Sequence, residues 1–424
     1  MHLAIVGNSA AALSALESFR RRERDAAVTL VSDEPGPAYS RVLLPYFLRG
    51  KVSREGLVIR GPEYYTRMGA ELVSGVRVDG LDIGARTLHL AGGRRLRFDK
   101  LLLATGSRPA RPPIPGLEHP AVHHLWTLAD AVRLDPLLRP GARALVLGSG
   151  FVALQAAWSA RQRGMEVTVI ELDARIMPRV LDAPAARLLH ERIETAGVPI
   201  HTGTSTEALE DDGGAVRVCA RGLEPFTVDV VIVATGARPN DELLSQALEP
   251  GAPGIPVGAT MQTSVPGVYA AGDVTRGPTA AGGPPEIHAL WPTAVEQGKV
   301  AGANLAGAAL TYRGSLSMNV TEMFGLTVAS LGRFVEEDGD HVKVLDDVAG
   351  VEYFKLVSRE GVPVGAVALG GTEGAVVLGR LRPYVRWRRA LPELLSFIEG
   401  RDLASPARPR DLRVAGLPGG VRGG

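Results

Sequence analysis

The sequence predicts an α/β chain of two doubly wound modules, the second inserted in the first, followed by a smaller α+β region. Three observations carry that expectation. Ala144 to Glu171 reads as strand, glycine turn, helix and strand in succession, and a weaker version of the same unit starts at His2. The ends LLLATG (Leu101 to Gly106) and VVIVATG (Val230 to Gly236) nearly repeat each other, with Arg-Pro close behind both, at Arg108-Pro109 and Arg238-Pro239. From Thr311 the pattern changes to alternating strands that belong to neither copy.

Length and composition bound what such a chain does. At 424 residues it exceeds what one hydrophobic core usually supports, so two or three domains are expected. Lys plus Arg total 47 against 46 for Asp plus Glu, and no basic stripe with interleaved aromatics appears, so nucleic acid is not an expected partner. No apolar run reaches the roughly 18 residues that a spanning helix needs, and no secretory leader precedes the first strand. A cytoplasmic protein without a membrane anchor is the expectation. Cys219 is the only cysteine, which excludes an internal disulfide, a CxxC redox pair and a cysteine metal cluster. The nine histidines are scattered, so no metal site is expected.

The clearest single unit is Ala144 to Glu171. Ala144 to Leu147 suits a parallel strand buried on both faces, and Gly148-Ser149-Gly150 makes the turn that lets backbone amides approach a pyrophosphate. A helix follows from Phe151, stops at Gly164, and Val167 to Ile170 returns as the next strand. Glu171 ends that strand about 20 residues past the glycines, where a carboxylate accepts from the adenosine ribose and repels a 2'-phosphate. NADH is therefore preferred over NADPH.

In the amino-terminal copy, His2 to Val6 is followed by Gly7, with Ser9 and Ala12 at positions where further glycines usually stand. Gly7, Ser9 and Ala10 are the expected nucleotide turn. After the strand Val28 to Val31, Glu34 is the expected ribose acid, with Asp33 beside it. The segment Pro35 to Gly50, PGPAYSRVLLPYFLRG, keeps no regular period and reads as a loop leading into a helix that lines a site. Gly84 to Asp99 alternates as a hairpin. The two ATG ends, Ala104-Thr105-Gly106 and that closing at Gly236, are expected beside the bound nucleotides. VPGVYAAGDV (Val265 to Val274) is an apolar strand that delivers Gly272 and Asp273 to the edge where ligands of open parallel sheets bind, and Asp273 is placed to accept from a ribityl hydroxyl. From Thr293 a small-residue helix can pack closely and point its amino end at a cofactor. Boundaries follow at 1–112 and 247–310 for the first module, 113–246 for the second and 311–424 for the third region. That region ends in a helix from Thr372 to about Trp387 and a loose tail from about Asp402.

Two nucleotide modules, two ATG strands and GVYAAGD in this order resemble the FAD-dependent pyridine nucleotide-disulfide oxidoreductases over nearly the whole chain. AYSRVLLPYFLRG and IMPRVLD (Ile176 to Asp182) look most like rubredoxin reductases and the flavin portion of the nitrite reductase large subunit. The resemblance implies two Rossmann-like domains, FAD held by the first through Gly7, Ser9, Ala10, Glu34, Arg41 and Asp273, and NAD(P)H held by the second. It also implies a third domain that mediates homodimerisation, and a helix start at Trp291 facing the flavin's pyrimidine end.

Departures from that family carry information. The segment Tyr39 to Tyr46 holds a reactive cysteine in the disulfide reductases; here Val42 or a neighbour stands in its place, and thiol chemistry at the flavin is excluded. Relatives also place a lysine near flavin N5 and a glutamate on the second nucleotide helix, positions that correspond here to Tyr46 and Gln155. A neutral hydride-transfer pocket shaped by Tyr46, Gln155 and Trp291 is the expectation. The predicted activity is hydride transfer from NADH to FAD, then electron transfer to a small redox protein (a rubredoxin or ferredoxin) or a nitrite reductase component. The cluster Arg386, Trp387, Arg388 and Arg389 is a candidate docking surface for such acidic carriers. Rival readings are an NADH oxidase that reduces dioxygen and a non-catalytic flavin or nucleotide sensor.

Overall fold

The computed structural model describes residues 1–247, 251–348 and 350–391; the tail expected to be loose from Asp402 lies outside them. Buried apolar runs of four to six residues make the central strands, as two-sided burial in parallel sheets requires. The first sheet has the order Val268–Ala270, Lys100–Leu103, His2–Val6, Ala27–Ser32, Glu71–Ser74, with all pairs parallel. The second has the order Ile200–His201, Glu166–Ile170, Arg143–Leu147, Val230–Val233, Val122–His123, again all parallel. One edge strand of the first sheet thus comes from beyond the whole second sheet, as insertion predicts.

The two copies match at the level of single hydrogen bonds. Gly7 N–H donates to Val31 O and Gly148 N–H to Ile170 O, both at 2.8 Å. Ala104 N–H donates to Val6 O at 2.8 Å, and Ala234 N–H to Leu147 O at 2.9 Å. Both glycines have positive φ, +123° and +100°. A Cβ on Gly7 would lie 2.1 Å from Ala104 O, and one on Gly148 2.6 Å from Ala234 O, so no side chain fits at either turn. Each copy also carries a three-stranded antiparallel sheet. In the first it comprises Val78–Asp82, Thr87–Leu90 and Arg95–Arg97, so the hairpin expected over Gly84 to Asp99 gains a third strand upstream. In the other direction, the strand expected over Val265 to Val274 pairs only at Val268–Ala270, because the Ala-Gly turn ends it before Asp273.

The two passages between the modules are joined to each other. Ser107–Pro109 pairs antiparallel with Ala237–Pro239, setting Arg108 opposite Arg238. The repeated Arg-Pro dipeptides thus form one neck.

The helix Ala10–Arg20 packs on the helix Trp291–Leu305, and both cover the first sheet, where Leu3, Ile5, Leu16 and Phe19 are fully buried. Their approach requires glycine: a Cβ on Gly298 would lie 2.3 Å from Ala11 O, and one on Gly302 2.1 Å from Ala15 O.

The third region is a five-stranded antiparallel sheet in the order Met318–Met323, Leu326–Gly332, Val362–Gly370, Val351–Arg359, His341–Val348, with the helix Glu373–Trp387 packed on it. Charged pairs fasten it to both modules. Arg382 and Arg386 bind Glu296 of the Trp291–Leu305 helix at 3.0 and 2.9 Å. Buried Lys355 pairs with Asp182 at 3.3 Å, and Tyr353 Oη donates to Asp182 at 2.6 Å. Arg386 also donates to Gly314 O at 2.6 Å. The docking cluster expected at Arg386 to Arg389 is corrected accordingly: Arg386 is spent inside the fold, and only Arg388 and Arg389 face solvent. Among the described residues no helix is long and apolar enough to cross a membrane.

Gly302→Ala should destabilise the protein by about 1–3 kcal/mol through overpacking against Ala15. A fall in the thermal unfolding midpoint checks this, and an unchanged midpoint contradicts the close approach.

Candidate functional site

The carboxyl edge of the first sheet, the start of the helix Phe151–Gln162 and the strand Met318–Met323 enclose one cleft of about 460 Å³. Most of the predicted site residues converge there. Asp33, Glu34 and Arg41 line it, as do Gly7, Ser9 and Ala10 of the first turn and Ala104, Thr105 and Gly106 of the first ATG strand. Gly272, Asp273 and Trp291 line it from the returning part of the first module, and Tyr46, Phe151 and Gln155 from the facing wall. Gly148, Gly150, Glu171 and Gly236 do not. They belong to the turns and strand ends of the second module, outside this cleft.

Two helices start bare at the cleft. Ser9 caps Ala10–Arg20, and Leu290 caps Trp291–Leu305, each without a side-chain hydrogen bond. Their first amides are left for a ligand, and both ends favour negative charge. Glu34 is held in place by its neighbours: Arg41 donates to one oxygen and Tyr39 Oη to the other, the latter at 2.5 Å. Burial pushes the Tyr39 hydroxyl well above the usual phenol value, so it stays a donor. Arg41 also donates to Trp126 O at 3.0 Å, which ties this end of the cleft to the start of the second module. At Asp273, burial pushes the carboxyl up from the usual aspartate value; the Ser107 hydroxyl, donating at 2.9 Å, and nearby Arg41 offset part of that rise.

The facing wall corrects one expectation. The Gln155 carboxamide, 6% exposed, accepts from Arg49 at 2.7 Å and donates to Thr321 Oγ1 at 2.7 Å and to Glu322 O at 2.8 Å. Arg49 lies with its guanidinium 4.4 Å from the Tyr46 ring centre and 4.2 Å from that of Trp158. The lining there is neutral, but a cation stands directly behind it. Burial draws the Arg49 pKa down, and Tyr46 and Glu322 work against that shift. Arg49 ends the short helix that follows the aromatic segment, so its position one turn past Tyr46 was a signal in the sequence. Asn319, Val320 and Thr321 were not foreseen, because nothing local tells a strand of the third region that it will close a cleft in the other two.

No cysteine approaches. Val42 lines the cleft and is 58% exposed, whereas Cys219 sits in the antiparallel strand Ala215–Ala220 of the second module. Among the described residues, no group of three or more His, Cys, Asp or Glu side chains is arranged to hold a metal.

The site therefore offers an acid tethered at one end, two bare helix starts, a buried carboxyl at Asp273 and an aromatic, neutral wall at the far end. These features fit an extended flavin dinucleotide.

Comparison with known proteins agrees. The family described as "Pyridine nucleotide-disulphide oxidoreductase" matches residues 1–298. The chain is 31% identical over 367 residues to the NADH-dependent phenylglyoxylate dehydrogenase subunit epsilon of Aromatoleum evansii, covering 86% of each. It is 30% identical over 373 residues to the assimilatory nitrate reductase electron transfer subunit of Bacillus subtilis (strain 168), covering 87% of this chain and 48% of that one, so it spans about half of that relative. The crystal structure of the ferredoxin reductase for the CYP199A2 system from Rhodopseudomonas palustris superposes with a TM-score of 0.86 at 25% identity, covering 94% of this chain and 99% of that one.

Two outcomes are expected. Gln155→Glu gains an ion pair with Arg49 but loses both donors and sets an oxygen against Glu322 O. A net loss of about 1–3 kcal/mol in stability should follow, measurable by denaturant unfolding. For Asp273, the raised carboxyl pKa means that the cofactor-free folded state holds a proton where the unfolded chain does not. Its contribution to stability is thus greatest at low pH and is lost as pH rises from the ordinary aspartate value of about 4 through the folded value. Unfolding of the cofactor-free protein across that range should show this decline in wild type and its absence in Asp273→Asn.

Proposed function

The chain belongs to the pyridine nucleotide-disulphide oxidoreductase family and is an FAD-dependent NAD(P)H oxidoreductase; on that premise we propose that it takes hydride from NADH and passes electrons to an external protein acceptor. The observation that carries the second half is Val42 at the cleft, with the lone cysteine in another sheet. No thiol is at hand to take electrons from the flavin, so the flavin itself would hand them to the external acceptor. The relatives support a protein acceptor: one is an NADH-dependent dehydrogenase subunit, one an electron transfer subunit of assimilatory nitrate reductase and one a ferredoxin reductase. A small redox protein such as a rubredoxin or ferredoxin, or a nitrite reductase component, has the required chemistry.

When bound, FAD supplies a two-electron acceptor for hydride and a centre from which electrons move on. The chain's own residues do the rest. Glu34 accepts from the ribose, with Arg41 and Tyr39 keeping its orientation; Ser9 and Ala10 offer backbone amides to the pyrophosphate; Asp273 accepts from the ribityl chain. The helix beginning at Trp291 lends its positive end to the side where negative charge develops. Tyr46 and Gln155 would form the wall that a bound nicotinamide meets, and Arg49 holds that wall in place. Residues 1–112 and 247–310 make the FAD-binding domain, 113–246 the NADH-binding domain, and 311–424 the interface of a cytoplasmic homodimer. Exposed Val342 and Val344 on the outer strand of the third sheet support that interface.

Anaerobic addition of NADH to the purified holoprotein should bleach the flavin band, and a rubredoxin, ferredoxin or nitrite reductase component should then restore it within seconds. Rapid oxygen consumption with NADH and no carrier would instead establish an oxidase. An unbleached flavin would leave only a nucleotide-binding sensor.

A further inference from the structure

We propose that Ser149, the middle residue of the second glycine turn, is the positioning residue that sets nucleotide specificity, by fixing Glu171 where it accepts a ribose and rejects a 2'-phosphate. The inference rests on the reading of the second module as the NADH site and adds the device that makes its acid selective.

Ser149 is almost fully buried between the strand Arg143–Leu147 and the helix Phe151–Gln162. Its Oγ has two partners, Met177 N at 3.2 Å and the Oε2 atom of Glu171. A backbone N–H only donates, so Oγ accepts from Met177, and the one hydroxyl hydrogen is left to go to Glu171. The second carboxylate oxygen, Oε1, accepts from Asp173 N at 2.8 Å. Glu171, 8% exposed, is thereby gripped at both oxygens before any ligand arrives.

The directions of these bonds decide what the site tolerates. A carboxylate offers about four lone-pair positions. Two are taken from within the protein, and two remain for neighbouring hydroxyls of a ribose. A 2'-phosphate brought to the same place meets like charge, and the Ser149 hydroxyl and the Asp173 amide already serve Glu171 and are not free to bind it. Without the Ser149 hydroxyl, the Oε2 side of Glu171 would be free to swing away and relieve that repulsion.

The far end of the relay is strained. Met177 is a buried, non-glycine residue at φ +46°, in the left-handed region that a side chain of its size avoids. Val180 N and Leu181 N both donate to Met177 O, at 2.9 and 3.0 Å, and hold the turn in that conformation. The conformation aims Met177 N–H at Ser149, and strain held by surrounding contacts in this way is a mark of a functional constraint.

Calorimetric titration of the FAD-loaded protein with ADP-ribose and with 2'-phospho-ADP-ribose tests the idea without flavin chemistry, since neither probe carries a nicotinamide. Wild type should bind ADP-ribose the more tightly, and Ser149→Ala should narrow that preference by about tenfold. Glu171→Ala should narrow it too, and Ser149→Ala combined with Glu171→Ala should narrow it no further than Glu171→Ala does. A preference unchanged in Ser149→Ala, or one that falls equally with Glu171 absent, overturns the role of Ser149 while leaving the NADH site standing. A wild type that binds neither probe overturns both.

Discussion

At Gly7 and at Gly148 the backbone of a turn is pressed against the carbonyl of an alanine on the next strand, with no room for a β-carbon. Much of the site follows from these two contacts. Because the turn is tight and lies low on the sheet edge, the helix behind it begins with its amides unmet, and a ledge opens over the carboxyl ends of the strands. The first contact creates the bare start of Ala10–Arg20. The second creates the turn whose middle residue, Ser149, is buried enough to reach Glu171. On the opposite face of the first helix, Gly298 and Gly302 allow the returning helix to lie against its backbone, which delivers Trp291 to the same cleft.

Short-range chemistry in the sequence carried most of this. The glycine turns, the acids a fixed distance beyond them and the two ATG ends each speak through local spacing; those of the first module line the cleft, and those of the second lie outside it. What stayed hidden depends on contacts between distant segments. Arg49 and Gln155 are 106 residues apart, and Gln155 and Thr321 166. No period or spacing reports such a meeting, so the wall opposite the first sheet reads from sequence as simply uncharged. The pairing of the two Arg-Pro strands was hidden for a related reason: the repeat was visible, but a repeat does not say that its copies touch. Arg386 misled in the opposite way, since an arginine near a helix end reads as solvated until Glu296 is brought up beside it.

The Gln155 knot also shows how a charge can be kept near a site without being placed in it. A guanidinium sandwiched between Tyr46 and Trp158 is desolvated, and cation–π contact with each ring, of the order of 1–2 kcal/mol, offsets part of that cost. A carboxamide partner then binds it with one oxygen and spends its two hydrogens on the third region. An ion pair at the same place would stabilise the cation more strongly but would leave Thr321 and Glu322 O without a donor. The amide is therefore what allows three parts of the chain to meet in one hydrogen-bonded junction.

The paired strands Ser107–Pro109 and Ala237–Pro239 make the second module a closed bight of chain, entered and left at one point. Asn240 N–H donating to Gly106 O and Thr105 Oγ1 donating to Asn240 O draw the two passages together beyond the strands themselves. Away from this neck the second module is fastened to the third region as well, at Lys355 with Asp182 and at Gln155 with Thr321. In mechanical terms the second module is a door hung on two short strands and bolted to a frame that the third region provides. The third sheet thus ties the second module to the rest of the chain at two places, although only a single strand of it borders the cleft.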